Sequence, residues 1–597
     1  MMTETENPVP FRSWSAAAAA SLAVVLWLFP RGALAQPAQP EQPVEPPPGG
    51  ETPEQPGAGE AVPGEGTQPG ETSPTSPTEA PATPEVPADP TSSAEVPSEP
   101  GAGPTAEPRE DIERGAGGES GFMDVRLNLT LTNENVFAEP GETIPSVPGW
   151  RFGRPNSLGT LFFDNYDTRF SGYETLSHAV LYKNYNKNEW EVEGALVLRI
   201  NDLAERSIDL SDAGSYIRVA HWFDPTRQEK KLISLTAFPT SSDRMRLGYS
   251  YRLSWGGSPE YQRSRAAVPG VKLQVDQGPV YFFVGAKSAV VLDRSTAEEE
   301  AVLAVLAGAG IDVTEMLRIE ANGGYFDRGG NELQDVITEK VRLYGASLQV
   351  ALHHREPVTS SIDYKLYRND PERAYHMFAK EEYPGGLSWL VAVEATVLGQ
   401  TLKDPDVSGG TTTQIGKAGD VNARVKIDRT RLRADLQFRD LAFILHSTPS
   451  LPTYSDFPPE YERTADFFAA LGVDHNIVGT GLTVGVIGGV DLPASLSTPT
   501  GVIPGDMVEG DGTSTAVIRN EGDITILPPG EEVLPQFALK VTGRLDFAES
   551  FAALADIYYS RDPNQTRLVR EGPDDLLTRE FGEFNQLGFN FTLQAKF

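Results

Sequence analysis

Cysteine is absent from all 597 residues, so the chain has no disulfide framework and no thiolate site for metal or redox chemistry. Lysine and arginine number 50 against 84 acidic residues, and the formal charge of −34 excludes the basic footprint of a general nucleic-acid binder. Beyond the N-terminus no stretch approaches about 20 uninterrupted apolar residues, which excludes a helical membrane protein. A transmembrane barrel stays open, because its strands are half polar and its hydropathy looks soluble. The seven histidines (178, 221, 353, 354, 376, 446 and 475) form no HExxH pair, and no GxSxG elbow occurs. Asp474-His475 falls at an expected tight turn, where Asp and Asn476 are ordinary turn residues, so neither catalysis nor a bound cofactor or metal is expected.

Aromatic residues are missing from one whole zone, between Phe29 and Phe122. Ahead of it, residues 1–35 have the form of a secretory signal. Ala16 to Pro30 is an apolar core too short to span, and Ala33-Leu34-Ala35 is a small-x-small cleavage site. Residues 36–120 hold 17 acidic residues, two arginines and no lysine, and 20 of the 48 prolines lie between Pro37 and Pro108. Such a segment has too little apolar surface to offset the entropy of ordering, so it is expected to be a disordered acidic linker or tail. Extended, it would reach on the order of 250 Å.

From Gly121 to the end the hydrophobic period is two. Met123, Val125, Leu127, Leu129 and Leu131 alternate with Asp124, Arg126, Asn128 and Thr130. Trp190 to Ile200, Met245 to Leu253 and Leu317 to Tyr325 do likewise, as do 417–427, 430–440, 463–474, 479–490, 534–546 and 549–560. Strict alternation is the signature of strands with one apolar and one polar face. Very short connections, such as Gln277-Gly278, Val313-Thr314, Asp428-Arg429 and His475 to Val478, largely alternate with long polar ones such as 257–267, 328–339, 400–416, 446–462, 492–533 and 562–582. Short turns on one rim and long loops on the other mark an up-and-down antiparallel barrel. Even parity, with Leu158–Phe170 and Ala374–Tyr383 read as strands, gives about 22 strands (20 to 24), with Ala516–Leu527 allowed as a hairpin on a loop. Aromatic residues near strand ends (Trp190, Trp222, Trp255, Tyr281, Tyr325, Trp389, Tyr558, Tyr559) fit interface girdles, and residues 135–157 are a candidate for folding into the lumen.

The last twelve residues alternate without a fault, ending in Phe597. The chain resembles a bacterial outer-membrane β-barrel protein of the porin type: Gln586, Gly588, Phe591 and Leu593 match the core of the family's C-terminal recognition strand, and Phe597 its last position. The resemblance covers 1–35 and 121–597. It implies export to the outer membrane of a Gram-negative bacterium, insertion by the barrel-assembly machinery, and contact with outer-membrane lipid and lipopolysaccharide. It leaves 36–120 in the periplasm. Leu587 to Phe597 is expected to pair with Met123–Leu131 as the seam of the barrel.

The polar phase carries a basic cluster expected to face the lumen: Arg424, Lys426, Arg431, Arg433 and Arg439 on one hairpin, with Arg244, Arg246, Arg252, Lys340 and Arg342 on other strands. Such cations bias a pore toward anions. Alternatively they brace the wall by pairing with Asp428, Asp435, Glu191, Glu193 and Asp363. The acidic loop residues Glu298 to Glu300, Asp506, Glu509 and Asp511 match no calcium-loop spacing and are expected to be solvated. The expected function is a channel for passive or weakly selective passage of small solutes, anions favoured. The alternative is a structural or docking protein, whose barrel anchors a proline-rich tether to a periplasmic or cell-wall partner.

Overall fold

The computed structural model describes residues 119–133, 149–152 and 178–596, the last span with breaks of which 331–339, 359–382, 448–456 and 499–512 are the longest. The signal, the acidic segment, most of 135–157, Leu158–Phe170, nearly all of Ala374–Tyr383 and Phe597 lie outside the described residues.

The described chain is almost entirely antiparallel strand, with eighteen strands following one another through the main sheet. They are β1 (Glu119–Asn133), β2 (His178–Lys187), β3 (Trp190–Asp202), β4 (Tyr216–Trp222), β5 (Lys231–Phe238), β6 (Gly270–Gln277), β7 (Val280–Asp293), β8 (Glu298–Thr314) and β9 (Leu317–Gly330). The second half comprises β10 (Lys340–His354), β11 (Leu387–Lys403), β12 (Thr411–Ile427), β13 (Thr430–Arg439), β14 (Asp466–Asn476), β15 (Leu482–Leu492), β16 (Gln536–Asp546), β17 (Phe551–Arg561) and β18 (Asn585–Lys596). Each pairs with the next in the chain. β1 pairs on one edge with β2 (Asp124 opposite Val180) and on the other with β18 (Asp124 opposite Lys596, Leu127 opposite Leu593, Leu131 opposite Phe589). The expected pairing of the two end strands is therefore present up to Lys596.

Turns follow the expected alternation. Asn188-Glu189, Gly278-Pro279, Glu315-Met316, Asp428-Arg429 and 477–481 lie on one rim, and the turn read at Val313-Thr314 falls two residues later. Asn188 and Asp428 take positive φ (53° and 50°), which Asn and Asp tolerate best among non-glycine residues. The longer connections 239–269, 331–339, 440–465, 493–535 and 562–584 lie on the other rim. The connection 355–386 is long yet falls on the short-turn rim.

The described main sheet has about eighteen strands where about 22 were expected, and two segments in that count, Leu158–Phe170 and nearly all of Ala374–Tyr383, lie outside the described residues. Met245–Leu253 is no strand: it lies in an irregular segment ending in one 3-10 turn, Tyr251–Leu253. Its alternation misled because it faces side chains on both of its phases. Ala516–Leu527 leaves the main sheet, forming part of a separate four-stranded sheet of Glu462–Arg463, Ala494–Thr498, Ser514–Ile518 and Ile524–Ile526.

Alternation sorts the two faces sharply. Leu181, Ile217, Leu235, Phe282, Leu303, Leu436 and Leu471 are exposed, Leu471 by 70 %. On the opposite phase of these strands, Tyr182, Arg218, Thr236, Leu306, Arg433 and Ala470 are buried. An apolar surface that extends round the whole sheet is far larger than water-soluble proteins expose.

Candidate functional site

The buried face encloses a strap, the segment 239–269 between β5 and β6. Positive φ at Gly248 (86°) and Gly256 (74°) lets the chain double back, and Leu247 and Trp255 exchange backbone hydrogen bonds of 2.9 and 3.0 Å. Leu247, Leu253 and Trp255 are completely buried against Phe326 of β9, Leu343 of β10 and Leu398 of β11. Burial of each such side chain is worth about 1.5–3 kcal/mol, so packing outweighs any single polar anchor. Polar contacts then set the register. Glu394 of β11 accepts Tyr249 N at 2.9 Å, Ser250 N at 2.5 Å and Ser250 Oγ at 2.6 Å, while Thr396 Oγ1 steadies it at 3.0 Å. Asn322 Oδ1 accepts Gly248 N at 3.0 Å, and Trp255 Nε1 donates to Ser347 Oγ at 3.3 Å. Lys287 of β7 donates to the carbonyls of Ser242 (2.8 Å) and Gly256 (2.6 Å).

The tip carries Arg252, 3.8 Å from Asp491 of β15 and stacked 4.1 Å over the Phe468 ring of β14. The strap leaves the sheet at β5, and β15 is ten strands further on among eighteen, so it reaches the far wall.

A second element enters from the same rim. Helix α1 (Leu441–Ser447) starts at Asp440, whose carboxylate accepts Phe443 N at 2.7 Å as an N-cap. Gly416 of β12 lets its backbone lie flat on the wall, since a Cβ there would overlap Phe443 N and Cα. Burial, with Arg328 nearby, holds the His446 imidazole neutral, its pKa pushed down to about 3. Arg328 donates to His446 O (2.6 Å) and Gln400 Oε1 (2.7 Å), tying α1 to β9 and β11.

The basic cluster divides. Arg424, Lys426, Arg431, Arg433 and Arg439 lie on the enclosed face as expected. Their partners differ from those expected. Arg431 forks onto Asp474 at 3.2–3.3 Å, Arg433 reaches the same carboxylate at 3.8 Å, and Arg439 binds Asp466 at 3.1–3.2 Å. Asp428 instead caps a turn by accepting Gly386 N, Asp435 accepts from Asn422, and Glu191 and Glu193 hold Arg218 at 3.1 and 3.3 Å. Asp363 and Arg244 lie outside the described residues. Arg424 Nε donates to Asn422, Lys426 sits 4.5 Å over Tyr383, and Arg246 reaches Ser254 O at 3.4 Å within the strap.

Lys340 and Arg342 are corrected. Both are exposed and share a phase with Tyr344, Leu348 and Val350, whereas Val341 and Leu343 point in. Sequence cannot tell lumen from lipid where the enclosed side is itself apolar, and Leu343 packs on the strap. For the same reason Trp222, Trp255, Tyr281 and Tyr558 are not girdle residues but face inward, while Trp190 and Tyr325 are exposed. Gln586 and Gly588 lie on the inward phase of β18, and Phe591 and Leu593 on the outward one. Of the acidic loop residues, Glu300 pairs with Lys340, and 506–511 lie outside the described residues. The strap anchors Glu394 and Ser250 and the helix cap Asp440 escaped the sequence reading, and the pattern placed Trp255 among girdle residues rather than strap anchors. Gly256-Gly257 and the aperiodic run Leu441-Ala-Phe-Ile-Leu were the available signals.

An antiparallel sheet with an apolar exposed face and a charged inner face has the form of a transmembrane β-barrel wall. The solved structures to which the chain is similar include OpdQ of Pseudomonas aeruginosa (9 % identity, TM-score 0.39, covering 80 % of this chain and 97 % of that one). Others are OpdK of the same organism, solved with vanillate (9 %, 0.35, 80 % and 98 %), and OmpT, an outer membrane protein of Vibrio cholerae (10 %, 0.29, 82 % and 100 %). No family model matches the chain, and no curated protein does.

Proposed function

We propose that the double pairing of β1 closes the sheet into an eighteen-stranded barrel in the outer membrane of a Gram-negative bacterium. The barrel acts as a narrow channel for small solutes rather than a wide, open pore. The observation that carries this reading is the strap, whose Arg252 meets Asp491 and Phe468 on the far wall and so divides the enclosed space. A mere anchor has no need of a wall lined with Arg424, Arg431, Arg433, Lys540, Glu191 and Asp556, all costly to bury unless they face water or one another. Asp474 and Asp466 counter much of the basic hairpin, so the anion preference is expected to be modest.

Planar-bilayer recording of the full chain tests this. Small, discrete conductance steps are expected, with a reversal potential displaced toward the anion side in a salt gradient. Strong cation selectivity would remove the anion preference, and complete absence of conductance would favour the anchor. Removing residues 36–118 should leave the steps unchanged. If conductance instead depended on that segment, the pore would not be the functional unit.

A further inference from the structure

One level of the inner wall is rich in hydrogen-bond acceptors. Gln349 of β10 stands opposite Glu394 of β11, Glu394 opposite Asp420 of β12, and Asp420 opposite Gln437 of β13. The row continues through Phe468 of β14 to Asp491 of β15. The strap tip lies along it, with Tyr249 and Ser250 on Glu394 and Arg252 on Phe468 and Asp491.

Donors are fewer than acceptors in this row. Gln349 Oε1, Asp420 Oδ1 and Gln437 Oε1 are buried oxygens that no donor reaches. Gln349 and Asp420 are only 5 % and 4 % exposed, so bulk water does not serve them. Buried polar atoms are nearly always paired, and three orphan acceptors flanking one carboxylate pair call for a donor. The Ser250 hydroxyl also reaches Asp420, but its single proton goes to Glu394 Oε2 at 2.6 Å. Toward Asp420 that oxygen can therefore only accept.

The charges around Asp420 point the same way. β11 presents Glu394 directly opposite, and β13 presents Asp435, which accepts from Asn422. Like charges facing each other across a ladder repel, and two close carboxylates do not readily ionise together. The cations nearby are directed elsewhere. Arg424 on the same strand donates to Asn422, Arg433 and Arg439 of β13 face Asp474 and Asp466, and Arg252 of the strap faces Asp491. Among the described residues none of them forms a salt bridge with Asp420.

We propose that Asp420 is a proton-binding site beneath the strap, and that its proton keeps the strap seated. The neutral carboxyl is the donor that Gln437 Oε1 and Ser250 Oγ can both accept. It leaves Glu394 as the single charge under the hairpin, matched by Tyr249 N, Ser250 N and Ser250 Oγ. Loss of the proton sets a second carboxylate against the strap's own anchor. The strap is held while the proton is bound and is released as rising pH removes it. This site rests on the reading of the barrel as a channel and adds a control on its constriction.

Two readouts on the full chain in lipid bilayers test it. Infrared difference spectroscopy of the wild type should show a protonated-carboxyl band at neutral pH that disappears at alkaline pH. The band should be absent from Asp420→Asn and kept in Asp435→Asn. Single-channel steps of the wild type should grow several-fold over the pH range in which the band is lost. Asp420→Asn, whose amide N–H supplies a donor without a charge, should keep small steps at every pH. Absence of the band from the wild type at neutral pH overturns the site, whether or not the variants assemble. So does a band or a pH response that survives in Asp420→Asn. A response that follows sodium or calcium at fixed pH also overturns it, since the row would then hold a metal ion. If the band behaves as expected but the wild type never conducts, the proton site stands and the channel reading falls.

Discussion

Glu394→Leu is expected to raise the single-channel conductance several-fold while leaving the barrel assembled. The Glu394 carboxylate accepts Tyr249 N at 2.9 Å, and it also takes Ser250 N and Ser250 Oγ. Hydrogen bonds to a charged group contribute about 1.5–3 kcal/mol each, and a buried donor left unsatisfied costs about 1–3 kcal/mol. Loss of three such bonds therefore rivals the packing of Leu247, Leu253 and Trp255 that remains. The strap should populate a displaced position, whereas the wall keeps its own ladder on both sides of β11. Glu394→Gln keeps one acceptor oxygen and should fall between wild type and Leu. The absence of native cysteine allows a direct check. In a Ser250→Cys background, thiol labelling should be slow with Glu394 and at least tenfold faster with Leu. Unchanged conductance and unchanged labelling would show that the strap is held by packing alone.

Gly588→Leu is expected to abolish assembly almost completely. Gly588 of β18 stands opposite Tyr558 of β17, whose ring lies over it, and a Cβ at 588 would overlap the ring carbons and the hydroxyl. β18 is also the strand that pairs with β1, so a disturbance there acts on the seam. A ring displaced from a buried position must find new space in a wall where Tyr558 is 1 % exposed. Overpacking of this kind costs typically 1–3 kcal/mol, and more when backbone lies beneath. The measurement is the fraction of heat-modifiable, compact protein in outer-membrane preparations, expected to fall at least tenfold. Tyr558→Ala should restore part of it in the double variant by removing the ring. If Gly588→Leu alone assembles normally, glycine is present at this position for some reason other than the ring.

The same position shows how far the sequence could be read. Gln586, Gly588, Phe591 and Leu593 could be recognised as a pattern, and alternation assigned Leu587 to Ala595 to one face and Gln586 to Gln594 to the other, as the structure has them. The pairing of that strand with β1 was equally legible, because a chain of hairpins leaves only its two ends free to meet. Short turns at Asp428-Arg429 and Gly278-Pro279 announce themselves by residue type, since only a few residues take the backbone angles they need.

What each inward side chain meets was not legible. Period two separates two faces but says nothing of what lies against either. Leu343 and Arg342 differ by one position, and the greasy one turns inward because a strap from a connection about 90 residues earlier in the chain supplies Leu247 and Trp255 to cover it. Arg431 and Arg433 could be placed on one face from sequence, but their carboxylate, Asp474, lies on the next strand in a register that only the intervening fold sets. The sequence by itself determined most of the strands, the division of each into two faces and the pairing of the two end strands, because these follow from local periodicity and hairpin order. The strap, the inward helix and the partners of Arg252, Arg431, Arg433 and Arg439 were decided by tertiary structure, because they depend on segments apart in sequence being brought together.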